Sequence, residues 1–160
     1  MIHSKGVVEP WIWLFPATYI LHILEESLGG ERFYAWIRRV TGRAIPAVAF
    51  FALNGIFFLS MIIAVVALRA GEVPWLLPAL GTLTTINGLG HLAGTFATRT
   101  YSPGLVSGVL LWIPLGIAAL WLSRPSLSSG EWWLGIATRL LMSGVVVGLA
   151  LVTSRRASPA

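Results

Sequence analysis

Cysteine and aspartate are both absent from these 160 residues, and lysine occurs once, at Lys5. Without cysteine, disulfides and thiolate-type structural zinc are excluded, and the redox compartment leaves no mark on the sequence. Charge of either sign is scarce. Only 11% of the residues are charged, against roughly 25% in soluble domains. No repeat or low-complexity segment is evident either. The net charge of +5 would suit nucleic acid in a soluble chain. In a greasy one, basic loops facing anionic headgroups account for it, and no nucleic-acid partner is expected.

What the chain has instead is apolar length. Hydrophobic residues make up 56% of it, and the mean hydropathy is +0.82. A bilayer core of about 30 Å needs about 20 helical residues. Five segments supply them: residues 10–28, 46–69, 74–98, 104–123 and 131–153. The expected fold is an all-α integral membrane protein, a bundle of five transmembrane helices. It forms a single transmembrane domain over residues 1–160, with 154–160 as a short tail. The first segment carries Pro16 and ends in charged residues, with no basic leader or small-residue cleavage site, so it is expected to stay as a span.

Five spans place the termini on opposite sides. Arg32, Arg38, Arg39, Arg43, Arg99, Arg155 and Arg156 fall on one side; Lys5, Arg69 and Arg124 fall on the other. The positive-inside rule then puts the N-terminus outside and the C-terminus in the cytoplasm. Trp11, Trp13, Trp75, Trp121, Trp132 and Trp133 gather at the outer ends, as an aromatic belt does. His3, Lys5 and Glu9 precede the first span and are expected to be solvated. In "ERFYAWIRRVTG", Phe33, Trp36, Ile37 and Val40 recur at helical spacing among arginines. That spacing predicts a short cytoplasmic interfacial helix. "SRPSLSSGE" at 123–131 is an outer loop. "GHLAG" (90–94) and "GVVVG" (144–148) carry G-x-x-x-G spacing, which would allow close helix contacts or a homodimer.

The few polar residues inside the spans share a face and a depth. His22, Glu25 and Glu26 stand at i, i+3 and i+4, with Thr18 and Tyr19 one turn earlier. On the third span Thr84, Asn87, His91, Thr95 and Thr98 form a second polar stripe. At 1.5 Å per residue, His22 and His91 both lie roughly 10 Å inside the cytoplasmic ends of their spans. Asn54, alone on the second span, reaches a similar depth. Ionisable groups in lipid face the bundle interior and are functional by default. Neighbouring carboxylates repel, and a divalent cation would neutralise them with imidazoles as further ligands. An all-N/O set suits Zn²⁺, Fe²⁺ or Mn²⁺. His22, Glu25, Glu26 and His91 are the candidate ligands, with Asn54 and Asn87 orienting ligands or substrate. Arg139, some eight residues into the last span, is expected to snorkel outward along its stem.

H-I-L-E-E at 22–26, His91 in "NGLGH" and "YSPG" at 101–104 together resemble the HXXEE family of small membrane proteins. That family is described by an H-x-x-E-E motif, a further histidine and a Y-x-P-G motif. The resemblance spans roughly residues 10–123 and implies that the His–Glu–Glu cluster and the second histidine act together. It carries no reaction. Independently of it, Pro103 begins a helix without needing an N–H donor, Gly104 permits close approach, and Tyr101 can offer its hydroxyl from the cytoplasmic rim.

Three functions fit this pattern. The first is a membrane-embedded, metal-dependent enzyme acting on a lipid or other hydrophobic metabolite, by hydrolysis or by proton-transfer isomerisation or cyclisation. In it His22, Glu25, Glu26, His91 and Tyr101 are the candidate catalytic groups. The second is a metal-free Glu/His acid–base isomerase or cyclase. The third is a proton- or cation-coupled carrier or an accessory membrane subunit. Membrane lipids and a hydrophobic small molecule are the expected partners.

Overall fold

The computed structural model describes residues 10–153 and 155–156, with side chains described as far as residue 148. His3, Lys5 and Glu9, the Arg155 and Arg156 side chains and the tail from residue 157 lie outside the described residues.

The chain is all-α. A 3-10 turn at Pro10–Trp13 leads into α1 (Leu14–Leu28), followed by α2 (Phe33–Thr41), α3 (Ala47–Ala70), α4 (Leu76–Thr98), α5 (Leu105–Ser126) and α6 (Ser129–Thr153). Two residues on each side of a small antiparallel bridge, Arg43–Ala44 (β1) and Arg155–Arg156 (β2), bring the segment after α2 beside the end of α6. The long helices coincide with the apolar segments of the sequence to within a few residues. Two of them, α3 and α5, are long and apolar enough to cross a membrane by length and composition.

The helix ends follow from local chemistry. Gly42 and Gly71 take left-handed conformations (φ 67° and 74°) and close α2 and α3 by donating their N–H groups back to Arg38 and Leu68. Ser128 and Glu131 form a capping box at the start of α6. Glu131 Oε2 accepts from the Ser128 N–H at 3.0 Å, and Ser128 Oγ accepts from the Glu131 N–H at 3.2 Å.

Ile12, Phe15 and Tyr19 of the first segment meet Met61, Val65 and Leu68 of α3, and Trp112 and Ala119 of α5 complete the core. Glycine governs how closely α4 and α5 approach. A methyl group at Gly88 would stand 2.6 Å from the Gly108 carbonyl oxygen, and one at Gly81 would stand 2.8 Å from that of Gly116. Backbone therefore packs on backbone along this seam. The glycines of the expected G-x-x-x-G pairs behave differently. Gly90, Gly144 and Gly148 have no neighbouring atom within 4 Å of an added methyl, and Gly94 accommodates the Trp36 indole. That indole is buried and donates its N–H to Thr100 Oγ1 at 3.2 Å, which pins α2 across the end of α4.

Candidate metal centre

α1, α4 and the start of α5 meet at one polar point. α1 presents His22 and Glu26 one turn apart, so both leave the same face. α4 presents His91 from the opposite wall, and the two imidazoles meet edge to face with centroids 4.9 Å apart. His22, Glu26 and His91 are only 1%, 5% and 5% exposed. Glu26 Oε1 lies 3.7 Å from His22 Nε2 and 3.4 Å from His91 Nε2. One ligating atom from each of the three residues falls within 4.8 Å of the other two, a grouping that could hold a metal ion.

The far sides of both rings are held by serine. His22 Nδ1 is 2.7 Å from Ser107 Oγ, and His91 Nδ1 is 3.1 Å from Ser102 Oγ. Ser102 is itself fixed, since its backbone N–H donates to Thr95 Oγ1 at 3.1 Å. Trp112 lies flat on His22 at 3.9 Å between centroids, Tyr19 stacks on the other end of that aromatic row at 5.5 Å, and Phe33 of α2 meets His91 edge-on at 5.3 Å. With both Nδ1 atoms engaged and both rings clamped, the Nε2 atoms are what the site offers. His22 Nε2 is buried and has no hydrogen-bond partner.

Gly104 closes the remaining wall. Its φ is +97°, and a methyl group there would stand 2.7 Å from His91 Cε1 and 2.8 Å from His22 Cε1. No other residue type satisfies both the backbone conformation and the contact with two imidazoles. Pro103 beside it is fully buried. The Y-x-P-G turn is thus a wall of the site as well as a helix start.

The adjacent glutamates part company. Glu26 joins the histidines, whereas Glu25 lies over the first turn of α5. There Oε1 accepts from the Val106 N–H at 2.9 Å and from the Tyr101 hydroxyl, and Oε2 accepts from the Ser107 N–H at 2.7 Å. Free N–H groups and the positive end of the helix dipole make that turn a good seat for a carboxylate. Partial burial, then the hydrogen bond to Glu25, push the Tyr101 hydroxyl up to about 12, so it remains a donor at neutral pH.

The two asparagines also differ. Asn87 lies against His22, and its Oδ1 is buried without a hydrogen-bond partner. Asn54 sits further off. Its Oδ1 accepts from the Tyr19 hydroxyl at 2.8 Å and its Nδ2 donates to the Phe50 carbonyl, and it connects to His22 through the Tyr19 and Trp112 rings. Of the threonines in the α4 polar stripe, Thr84 and Thr98 donate to carbonyls of their own helix. Arg139 does not snorkel outward. Its guanidinium turns inward over the Phe57 ring, 5.2 Å from the centroid.

Ser102, Ser107 and Trp112 carry no signal in the sequence that marks them as partners of histidine. Ser102 is the variable position of "YSPG", and Ser107 and Trp112 stand in an apolar run. In the structure the Gly108–Trp112 turn of α5 is π-helical, an arrangement common near functional sites, and Trp112 lies on His22.

The family model described as a protein of unknown function with HXXEE motif matches residues 13–119, two thirds of the chain and every residue of the site. Comparison with curated proteins and with solved structures gives no match. The chain belongs to the HXXEE family.

Proposed function

We propose that this HXXEE-family chain is a five-span membrane protein whose buried His22–Glu26–His91 group binds one divalent metal ion and catalyses a reaction on a lipid or other hydrophobic metabolite. The spacing of the ligating atoms carries the reading. Separations of 3.4 and 3.7 Å between Glu26 Oε1 and the two Nε2 atoms are too long for charge-assisted hydrogen bonds, which run about 2.7–2.9 Å. They suit atoms sharing one ion. With metal–ligand bonds of about 2.1 Å, a tetrahedron has edges of about 3.4 Å and an octahedron about 3.0 Å. Zinc is therefore the best fit among the N/O-binding metals. The same comparison sets the metal-free acid–base pair below the metal site.

Three protein ligands leave a fourth position for water or substrate. A metal held there would act as a Lewis acid and activate water. The protein's own groups set the stage. Ser107 and Ser102 receive the Nδ1 protons and so keep both Nε2 lone pairs directed at the ion, the usual duty of groups behind a histidine ligand. Asn87, with a free acceptor beside His22, orients a substrate hydroxyl or water. Glu25 and Tyr101 fix the α5 start that carries Ser107. A site about 10 Å under the cytoplasmic headgroups selects amphiphilic substrates, and hydrolysis or proton-transfer isomerisation are the reactions such a site supports.

Elemental analysis of protein purified without chelators decides the matter. About one equivalent of zinc is expected in the wild type, and loss of it in His91→Ala. A wild-type protein with far less than one equivalent of any divalent metal would sink the proposal. Retention of metal by His91→Ala would overturn the ligand set.

A further inference from the structure

Arg139 lies ten residues into α6, which starts at Ser129. At 1.5 Å per residue that is about 15 Å, half of a 30 Å hydrocarbon layer. An arginine at that depth is costly unless it finds a partner. Its Nε atom is buried with no hydrogen-bond partner. Among the described residues no carboxylate pairs with it. The Phe57 ring beneath the guanidinium attracts its charge but satisfies none of its N–H donors.

Beside the guanidinium is a half-open cavity of 220 Å³ between α3, α4 and α6. Met61, Leu80, Leu83 and Met142 give its walls their character, with Ser60 and Thr138 as the uncharged polar members. Ser60 already donates to the Ile56 carbonyl, so Arg139 is the single charge facing the space. A cavity so built asks for a ligand with one negative charge and a hydrocarbon body. The planar fork of arginine matches a carboxylate in two parallel hydrogen bonds. One guanidinium neutralises a monoanion; a phosphate dianion would be left with uncompensated charge in a dry site. The volume equals about seven waters at about 30 Å³ each, enough for a head and the first part of a chain, the rest leaving by the open rim.

We infer that this cavity is a binding site for a long-chain carboxylate, a fatty-acid-like amphiphile whose head is clamped by Arg139. The inference rests on the membrane placement of α6 and not on a metal at the histidines. Tyr19 stands within electrostatic reach of both Arg139 and Glu26, so the two sites are neighbours.

The test uses the full chain in phosphatidylcholine nanodiscs and three labelled probes with the same chain: palmitate, hexadecanol and hexadecyl phosphate. Palmitate should bind saturably and about tenfold or more tighter than hexadecanol, as expected for a charge-assisted pair, and tighter than hexadecyl phosphate. Arg139→Met should abolish that preference while keeping hexadecanol binding. Leu83→Trp, which fills the cavity, should abolish binding of all three. Metal content should stay at the wild-type level in both variants, which separates failure here from failure at the histidines. Equal wild-type binding of palmitate and hexadecanol would overturn the proposal without recourse to any variant. So would a preference for the phosphate, or an unchanged palmitate affinity in Arg139→Met.

Discussion

At the scale of single residues, the site depends on what is missing from Gly104 as much as on what its ligands supply. A Cβ there collides with both imidazoles and must also adopt φ +97°. Gly104→Ala is expected to cost about 1–3 kcal/mol in strain and to strip the metal, read as a lower melting temperature together with a loss of bound zinc. The glutamate pair gives a sharper contrast. Glu26→Gln should abolish metal binding. Glu25→Gln should keep the stoichiometry, because Glu25 faces the α5 N–H groups and not the histidines. Equal metal content in the two variants would refute that division. Tyr101 adds a pH dependence. Its hydroxyl is pushed up from 10.0 to about 12 in the fold, so its contribution is intact below pH 10 and fades as pH rises through 12. Melting temperature should fall with alkalinity in that window, and less steeply in Tyr101→Phe.

At the scale of elements, α5 is the part the site leans on most. It begins at a Pro–Gly turn, is capped by a carboxylate from α1 instead of one of its own residues, and passes through a π turn that aims Trp112 at His22. Losing that cap in Glu25→Gln should cost about 1–2 kcal/mol, visible in a thermal melt. The α4–α5 seam is fixed by Gly81 and Gly88 against Gly116 and Gly108. Gly88→Leu should therefore destabilise by about 1–3 kcal/mol through overpacking. Gly90→Leu, two residues along the same helix with open space beside it, should be close to neutral. If both behave alike, the seam is not where the structure puts it. Helix α2 serves as a cover, its Phe33 against His91 and its Trp36 seated on Gly94.

For the whole molecule, the placement in a membrane is the proposal that organises the rest. Two helices are long and apolar enough to span on their own. Of the other long helices, α1 and α4 carry polar groups of the site and α6 carries Arg139, which is what the proposed placement expects of spans facing a bundle interior. A reporter fused at the C-terminus should be cytoplasmic, and tags in the turns after α3 and α5 should be external. The chain should also resist alkaline extraction from membranes. A soluble chain, or an external C-terminus, would overturn the placement or its orientation. The bridge between Arg43–Ala44 and Arg155–Arg156 puts two of the basic segments at one end of the bundle.

The sequence by itself determined the helices, because unbroken apolar length and helical spacing are local properties. It also paired His22 with His91, which the structure brings together. His22 and His91 could be matched by depth, since rise per residue is constant along a helix. Rotation about each helix axis is not local, and that is what the tertiary structure decided. Glu25 and Glu26 are neighbours on one turn, yet about 100° of rotation sends Glu26 to the two histidines and Glu25 to the N-terminus of α5. The same freedom turned Arg139 inward to Phe57 and its cavity. It left Gly90, Gly144 and Gly148 without a close neighbour, seated Trp36 on Gly94, and made the α4–α5 seam from glycines seven and eight residues apart. It also set Ser107 and Trp112, unremarkable in an apolar run, against His22.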